Sequence, residues 1–300
     1  MPDHLKVSPR LRTQGIMLAM AGAMGFAAKA IVAKLAYRYG VDAITVLMYR
    51  MLFAGPIFAA MALMSSRGKA PLTAKQWRSV LMLGFTGYYL ASYLDFMGLQ
   101  YISASLERLI LYLNPTFVLL LGWLQYRRRV NQAQVVGMLI SYSGVLMVFA
   151  HELQFDGWTT VLGSVLVLGC AISYAVYLIH SGELVKQLGS IRLVGWATSV
   201  ASVLCLLHFV LTRPLSAAWV PWEVLGLSAI NAVLCTVAPV LLVMMAIERI
   251  GAGMASQVGM IGPMATLMMG AVWLDEPFTA WVLAGTVLVL SGVFWVGRSR

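Results

Sequence analysis

The sequence predicts an all-α membrane protein of ten transmembrane helices, built as two inverted five-helix repeats. Three observations predict it: an apolar excess too large for a water-soluble core, basic residues gathered on alternate loops, and a register in which the chain matches its own second half. Of the 300 residues, 61% are hydrophobic and 11% charged, with a mean hydropathy of +0.85. Soluble domains are about half apolar and about a quarter charged.

A helix that crosses a bilayer takes about 20 mainly apolar residues. Stretches of that kind run over 13–36, 43–64, 76–97, 103–124, 132–150, 159–182, 193–212, 222–247, 252–273 and 279–297, leaving little chain for a soluble domain. The first follows Lys6, Arg10 and Arg12, like the apolar run of a secretory leader. Its partner in the second half argues that it is retained as helix one. Cys170, Cys205 and Cys235 fall inside spans without CxxC spacing, so they are read as small packing residues, and no disulfide, metal or other cofactor is inferred.

A net charge of +10 would suggest nucleic acid in a soluble protein, but the positions of the basic residues decide otherwise. With the N-terminus inside, the cytoplasmic segments hold fifteen of the 21 Lys and Arg residues, among them Lys6, Lys69, Arg78, Arg128, Lys186 and Arg249, and the outer loops hold Arg38 and Arg213. Such a bias orients the chain with basic loops inside. Both termini are therefore expected in the cytoplasm of a bacterial inner membrane, with the lipid bilayer as partner and no nucleic acid. Lys29, Lys34, Arg50 and Arg108 remain, all in spans.

The repeat appears at an offset of 148 residues: Gly15 falls on Gly163, Ala27 on Ala175, Pro115 on Pro263, and Ser143-Gly144-Val145 on Ser291-Gly292-Val293. The units are 1–150 and 151–300. Five spans per unit force the second copy to enter with opposite orientation, and the charges agree: Arg127-Arg128-Arg129 in one unit stands where Asp275-Glu276-Pro277 stands in the other. Inverted repeats are a common plan of secondary transporters, with the substrate held near the midplane.

Small residues at four-residue spacing, Gly15, Ala19, Ala23 and Ala27 on helix one and Gly251, Ala255 and Gly259 on helix nine, allow close helix contact in lipid. Pro115 and Pro263 each remove a backbone hydrogen bond and free the carbonyl four residues back, Leu111 and Gly259. A tolerated kink and a gating hinge are equally open readings; the matched positions point to the transport path.

Charges deep in a span cost roughly 2.5–3.5 kcal/mol each on insertion scales and face protein or water. Lys29, Arg50, Asp95, Glu107 and Arg108 are the deep ones, Arg50 also being open to a structural pairing with a carbonyl or Asp42. Lys34, Glu183 and Arg249 lie near span ends, where they can snorkel. On helix four, Arg108, Tyr112 and Pro115 form one stripe, whose counterpart on helix nine is Ser256, Met260 and Pro263. Helix three aligns Tyr88, Ser92 and Asp95, beside Tyr89 and Tyr93. Lys29 on helix one has Tyr177 as repeat partner, one turn from Ser173 and Tyr174. Lys29, Tyr88, Ser92, Asp95, Arg108, Tyr112, Ser173 and Tyr177 are the candidate lining of a cavity for an amphipathic small-molecule substrate. Interfacial tyrosines and structural ion pairs are the competing reading. Asp95 and Glu107 are the candidate carriers of a coupling proton.

His4, His151, His180 and His208 are too scattered for a metal site, and the chain has no HExxH, Walker or GxGxxG sequence, so movement is expected to run on an ion gradient or without coupling. A membrane-embedded enzyme is disfavoured by the absence of a paired catalytic constellation. Gly98 to Val148 and Ala246 to Val296, with their mid-helix Pro, polar turn and closing Gly and Ser-Gly-Val, resemble the EamA units of the drug/metabolite transporter superfamily. Among ten-helix members the chain is most similar to the YddG-type aromatic amino-acid exporters. The resemblance implies export of amino acids or related metabolites by alternating access, with helices three, four, eight and nine bending around a central cavity. Where such units usually carry Gly-Glu in the polar turn, this chain has Arg127-Arg128 and Asp275-Glu276. A broad exporter of cationic drugs is the alternative within transport, because it would use buried carboxylates and aromatic faces.

Overall fold

The computed structural model describes residues 9–126 and 131–298, and among them the chain is helical throughout with no strand. In order the helices are α1 (Pro9–Tyr37), α2 (Ala43–Ser66), α3 (Ala74–Leu83), α4 (Ala91–Leu99), α5 (Ala104–Leu111), α6 (Asn114–Tyr126), α7 (Gln132–Asp156), α8 (Trp158–Leu188), α9 (Ser190–Thr212), α10 (Trp222–Ala232), α11 (Ala238–Gly259), α12 (Gly262–Trp273) and α13 (Ala280–Arg298). The Arg127-Arg128-Arg129 turn and the side chain of Ser256 lie outside the described residues.

Among the described residues, seven helices are long and apolar enough to cross a membrane: Arg10–Tyr37, Ala43–Ser66, Ala104–Gln125, Gln132–Leu153, Trp158–Leu188, Ser190–Thr212 and Trp222–Gly251, and Ala280–Trp295 is a shorter apolar helix. Several of the expected stretches are divided. A π segment, Gly84–Leu90, joins α3 to α4, and a second, Val233–Val237, joins α10 to α11. The two segments coincide under the 148-residue shift to within one residue. So do the breaks after Leu111 and after Gly259.

The breaks refine the sequence reading of the prolines. Pro115 and Pro263 sit in the first turn of α6 and α12, where a missing N–H costs nothing and the fixed φ suits helix entry. They start new helices instead of bending continuous ones. Gly251 departs further: its φ of 76° and ψ of 158° are not helical, so it belongs to no small-residue stripe. This left-handed φ is one that glycine adopts without steric cost.

Four helix pairings carry the bundle: α1 along α11, α2 along α9, α7 along α13, and α4 against α8. Lipid is as apolar as leucine, so close packing has to substitute for a hydrophobic driving force. At α7–α13 a Cβ on Gly144 would lie 2.6 Å from the Gly285 carbonyl, and one on Gly285 would lie 2.7 Å from that of Gly144. Gly98 and Gly163 make the same mutual approach between α4 and α8. The stripe on α1 serves packing too, with Ala19, Ala23 and Ala27 buried and Gly15 against Ile250.

Capping sets the helix starts. Thr73 with Gln76 and Asn131 with Gln134 form capping boxes for α3 and α7. Asp42 caps α2, accepting from the N–H groups of Ile44 and Thr45 and the Thr45 hydroxyl, and pairs with Arg213 at 3.1 Å. Partial burial acts to raise the Asp42 pKa, but the Thr45 hydrogen bonds and Arg213 outweigh it and hold the carboxyl below its ordinary value. A carboxylate depressed on folding contributes stability that is present above its unfolded pKa of about 3.9 and lost as pH falls through the folded value. Asp42→Ala should therefore cost about 1 kcal/mol in detergent at neutral pH. The deficit should shrink below pH ~4 in thermal melts of parent and variant followed by circular dichroism; a deficit that stays constant across that range would contradict it.

Candidate functional site

Five charged side chains meet in the protein interior. Lys29 of α1 forms an ion pair with Asp95 of α4, and its Nζ lies 3.5 Å from Glu107 Oε1 of α5. Arg108 Nε lies 3.9 Å from Glu107 Oε2. The order Asp95, Lys29, Glu107, Arg108 is thus a chain of alternating sign. Glu107 is 0% exposed and Asp95 2%. At about 4 Å and an effective dielectric of about 20, each link is worth about 4 kcal/mol before desolvation is counted. Desolvating several charges opposes that gain, so hydrogen bonding decides how well each is held.

The hydrogen bonds are unevenly shared. Arg108 Nη2 donates to the Phe26 carbonyl at 2.7 Å and more weakly to that of Ala27 at 3.4 Å, while its Nε donates to Thr266 Oγ1 of α12 at 3.2 Å. Glu107 receives no protein hydrogen bond on either oxygen, and neither does Asp95 Oδ1. The fifth charge, Arg50 of α2, donates from Nε to Thr236 Oγ1 at 2.9 Å and lies over the Phe96 ring at 5.1 Å. Its Nη1 is buried without a partner. The alternative pairing of Arg50 with Asp42 is not formed, because Asp42 is engaged at the α2 N-terminus.

Sequence reasoning passed over the neutral groups that tie this cluster to the second half. Asn231 of α10 donates to the Lys29 carbonyl at 3.0 Å, and the Thr236 hydroxyl donates to the Asn231 carbonyl at 2.8 Å. Thr266 receives Arg108. The available signal was an uncharged polar residue in a very apolar run, which is weak where Ser and Thr are common.

Tyr112 sits where α5 ends, and its hydroxyl donates to the Gly259 carbonyl at 2.8 Å. This is the carbonyl that Pro263 was expected to free, and a side chain from the first half takes it. A Cβ on Gly262 would lie 2.7 Å from that hydroxyl, so the two helix breaks touch.

The remaining candidates form a separate aromatic group. Tyr88 and Tyr177 hydroxyls are 3.1 Å apart with rings edge to face, Tyr174 stacks on Tyr177 with centroids at 5.4 Å, and Ser173 Oγ donates to the Thr86 carbonyl at 2.7 Å. Ser173 thereby ties α8 to a carbonyl of the first π segment. Tyr88, Tyr174 and Tyr177 pack with Val80, Leu83 and Leu184. Ser92 is half-buried on α4. Tyr89 donates to or accepts from His208 Nδ1 at 2.9 Å, with Tyr93 beside the imidazole. Near the end of α1, Lys34 Nζ donates to the Ile102 carbonyl at 2.7 Å and lies 3.6 Å from Glu276. It lines a cavity of about 730 Å³ together with Tyr101, Ser103, Ser105, Glu152 and Glu276. Arg38, just past α1, reaches the Leu274 carbonyl at 2.8 Å, which puts this cavity at the end of the bundle that carries the α1–α2 connection.

Comparison with known proteins agrees with a transporter. An uncharacterised transporter of Bacillus subtilis (strain 168), YcbK, is 32% identical over 300 residues, covering 94% of this chain and 91% of its own. An S-adenosylmethionine/S-adenosylhomocysteine transporter of Chlamydia trachomatis is 27% identical over 190 residues, covering 61% of this chain and 58% of its own. A solved crystal structure with 17% identity shares the fold at a TM-score of 0.65, covering 95% of this chain and 99% of that one. The EamA-like transporter family matches residues 13–150 and again 161–298, and this chain belongs to that family.

Proposed function

We propose that the chain is a secondary transporter that exports amino acids, aromatic or other neutral ones, and related metabolites across the bacterial inner membrane by alternating access. In this reading the ten spans form two inverted units, 1–150 and 151–300, with both termini cytoplasmic. The paired π segments and paired helix breaks support the symmetry, and the charge bias supports the orientation.

The observation that carries the substrate class is the alternating charge chain. A zwitterionic amino acid must bring both a carboxylate and an ammonium out of water, and each needs opposite charge or dense hydrogen bonding. Lys29, shared between two acids, is the cation that a solute carboxylate can draw away. Arg108 is held by α1 and α12, and Arg50 keeps an unbonded Nη1 towards the interior. Asp95 or Glu107 then meets the solute ammonium, or a coupling proton when no solute is bound. Tyr112 and the Tyr88–Tyr177 group, with Ser92 and Ser173, are the proposed lining for the side chain. The relative that carries S-adenosylmethionine fits a site built for an α-amino-acid head group. A cationic-drug exporter is the second reading, favoured by the unbonded Glu107 oxygens.

Proteoliposomes preloaded with labelled L-phenylalanine and competed with other amino acids, nucleosides and quaternary ammonium compounds decide between these readings. Saturable efflux inhibited by amino acids supports the first; inhibition by quaternary ammonium compounds alone supports the second. Lys29→Ala should lower efflux by about tenfold or more, the effect of losing roughly 1.4 kcal/mol of solute binding. Arg108→Ala should abolish saturable efflux, and Asp95→Asn should change its pH dependence. If all three move L-phenylalanine like the parent, the charges are structural and the site lies elsewhere.

The proposed hinges at Pro115 and Pro263 make a separate prediction through the contact between the breaks. Tyr112→Phe loses one hydrogen bond worth about 1 kcal/mol, and should change exchange rates by about fivefold while melting falls by no more than about 4 °C. Equal rates would make the breaks static. Orientation is tested with single cysteines at Arg128 and Asp275: impermeant reagents should reach them from opposite sides, Arg128 from the cytoplasm, and labelling from one side would end the inverted reading.

A further inference from the structure

The helix that carries Glu107 and Arg108 begins inside the protein, and the first N–H groups of a helix have no partner within it. In α5 each is accounted for. The Ser103 hydroxyl donates to Glu152 of α7, as does the Ser103 N–H at 3.4 Å. The Leu106 N–H donates to Ser103 Oγ at 2.9 Å. The rest go to one carboxylate from the second half: Glu276 accepts from the Ala104 N–H at 2.7 Å, the Ser105 N–H at 3.3 Å and the Ser105 hydroxyl at 2.9 Å. Negative charge at this position also complements the helix dipole.

The turn between α12 and α13 is shaped to deliver that carboxylate. The N–H groups of Leu274 and Glu276 both reach the Gly270 carbonyl, at 3.0 and 3.1 Å. Asp275 takes a φ of 58°, a left-handed value that Asp tolerates better than most side chains. Its carboxylate faces Arg38 at 3.4 Å. A Cβ on Gly270 would stand 3.0 Å from Glu276 Oε2, so the carboxylate fills space that glycine leaves open.

Lys34, Ser103, Ser105, Glu152 and Glu276 are also walls of the 730 Å³ cavity. Glu107, two residues beyond Ser105, is fully buried, so the cavity stops about half a helical turn short of the charges. We propose that Glu276 is a positioning residue for the charged site, seating α5 from the opposite half, and that its release together with Lys34 joins this cavity to Lys29 and Asp95. The proposal rests on the alternating-access reading. It is confined to this end of the bundle, because the 148-residue register places Arg128 at the equivalent position and a guanidinium offers no acceptor.

Native Cys170 supplies a reporter. It is buried on α8, which packs against α4 and α5. In a background with Cys205 and Cys235 replaced by Ser, an impermeant maleimide is applied to right-side-out and inside-out proteoliposomes. Glu276→Gln, Glu276→Ala and Gly270→Ala, the last displacing the carboxylate without removing it, should speed labelling from the outer face about fivefold, as expected for loss of a helix cap, and slow it from the inner face. Glu276→Asp should stay near the parent. Unchanged labelling in monodisperse Glu276→Gln and Gly270→Ala overturns the proposal, as does faster labelling from both faces, which marks general loosening. Loss of monodispersity in every variant, Glu276→Asp included, also overturns it by assigning the residue to the fold. L-phenylalanine efflux is scored in the same vesicles: labelling that shifts without efflux leaves this proposal standing and removes the amino-acid reading, and efflux without a labelling shift does the reverse.

Discussion

A helix that breaks inside a membrane exposes backbone groups where no bulk water can meet them, and each break must be closed by protein. Here much of the closure comes from the opposite half of the chain. Tyr112 takes the Gly259 carbonyl and Glu276 takes the first N–H groups of α5, while Asn231 reaches the Lys29 carbonyl within the unbroken α1. Arg108 reaches Thr266, and Arg50 reaches Thr236. These directional bonds register the halves more sharply than apolar packing could, since lipid competes on equal terms for apolar surface.

The same bonds explain why the charges can be buried together. Arg108 has the Phe26 and Ala27 carbonyls and Thr266 besides Glu107, Arg50 has the Thr236 hydroxyl, and Lys29 is shared between two carboxylates. The acids are treated differently. Asp95 is bonded by Lys29, whereas Glu107 lies within ion-pair range of Lys29 and Arg108 without a hydrogen bond from either. In a low-dielectric interior that difference separates two carboxylates of similar intrinsic acidity. Asp95 becomes the standing counter-ion of Lys29, and Glu107 the group with capacity to spare.

What could be read from the sequence followed from patterns with long reach. The apolar stretches, the 148-residue register and the polar exceptions within spans were visible because each is a departure from a strong background. The register anticipated the match between the two π segments only indirectly, since π geometry leaves no simple composition signal in GFTGYYL or VLCTV. The carbonyl freed at Gly259 was deducible from Pro263; the hydroxyl that captures it was not, because Tyr112 lies 147 positions away. Tyr88 shared a helical face with Asp95, and Tyr177, one turn from Ser173, was the repeat partner of Lys29, yet the three form a cluster of their own, because spacing reports a face and not the depth of its neighbours. Asn231 and Thr236 escaped notice for lack of charge.

The balance of the cluster bears on which solute suits it. Lys29, Arg50 and Arg108 stand against Asp95 and Glu107, three cations to two acids. Buried charge without compensation is costly, so a zwitterion, which adds no net charge, leaves the excess as it is, whereas a permanent cation without an anion adds to it. An amino acid brings both charges. On the proposed reading its carboxylate answers the surplus cation, and its ammonium turns to the unbonded oxygens of Glu107. A proton on Glu107 would occupy that same place. Proton and ammonium then exclude each other by direct competition, which is negative cooperativity, a positive coupling free energy between two ligands at one group. Exclusion of this sign is what outward movement against an inward proton gradient requires: a proton entering from outside displaces the ammonium on its way out, and a fresh solute on the inner side displaces the proton. A site that bound both together would run the solute inwards instead. On the proposed reading, competition at Glu107 gives export over uptake, and it is the surplus cation that gives a zwitterion over a simple cation.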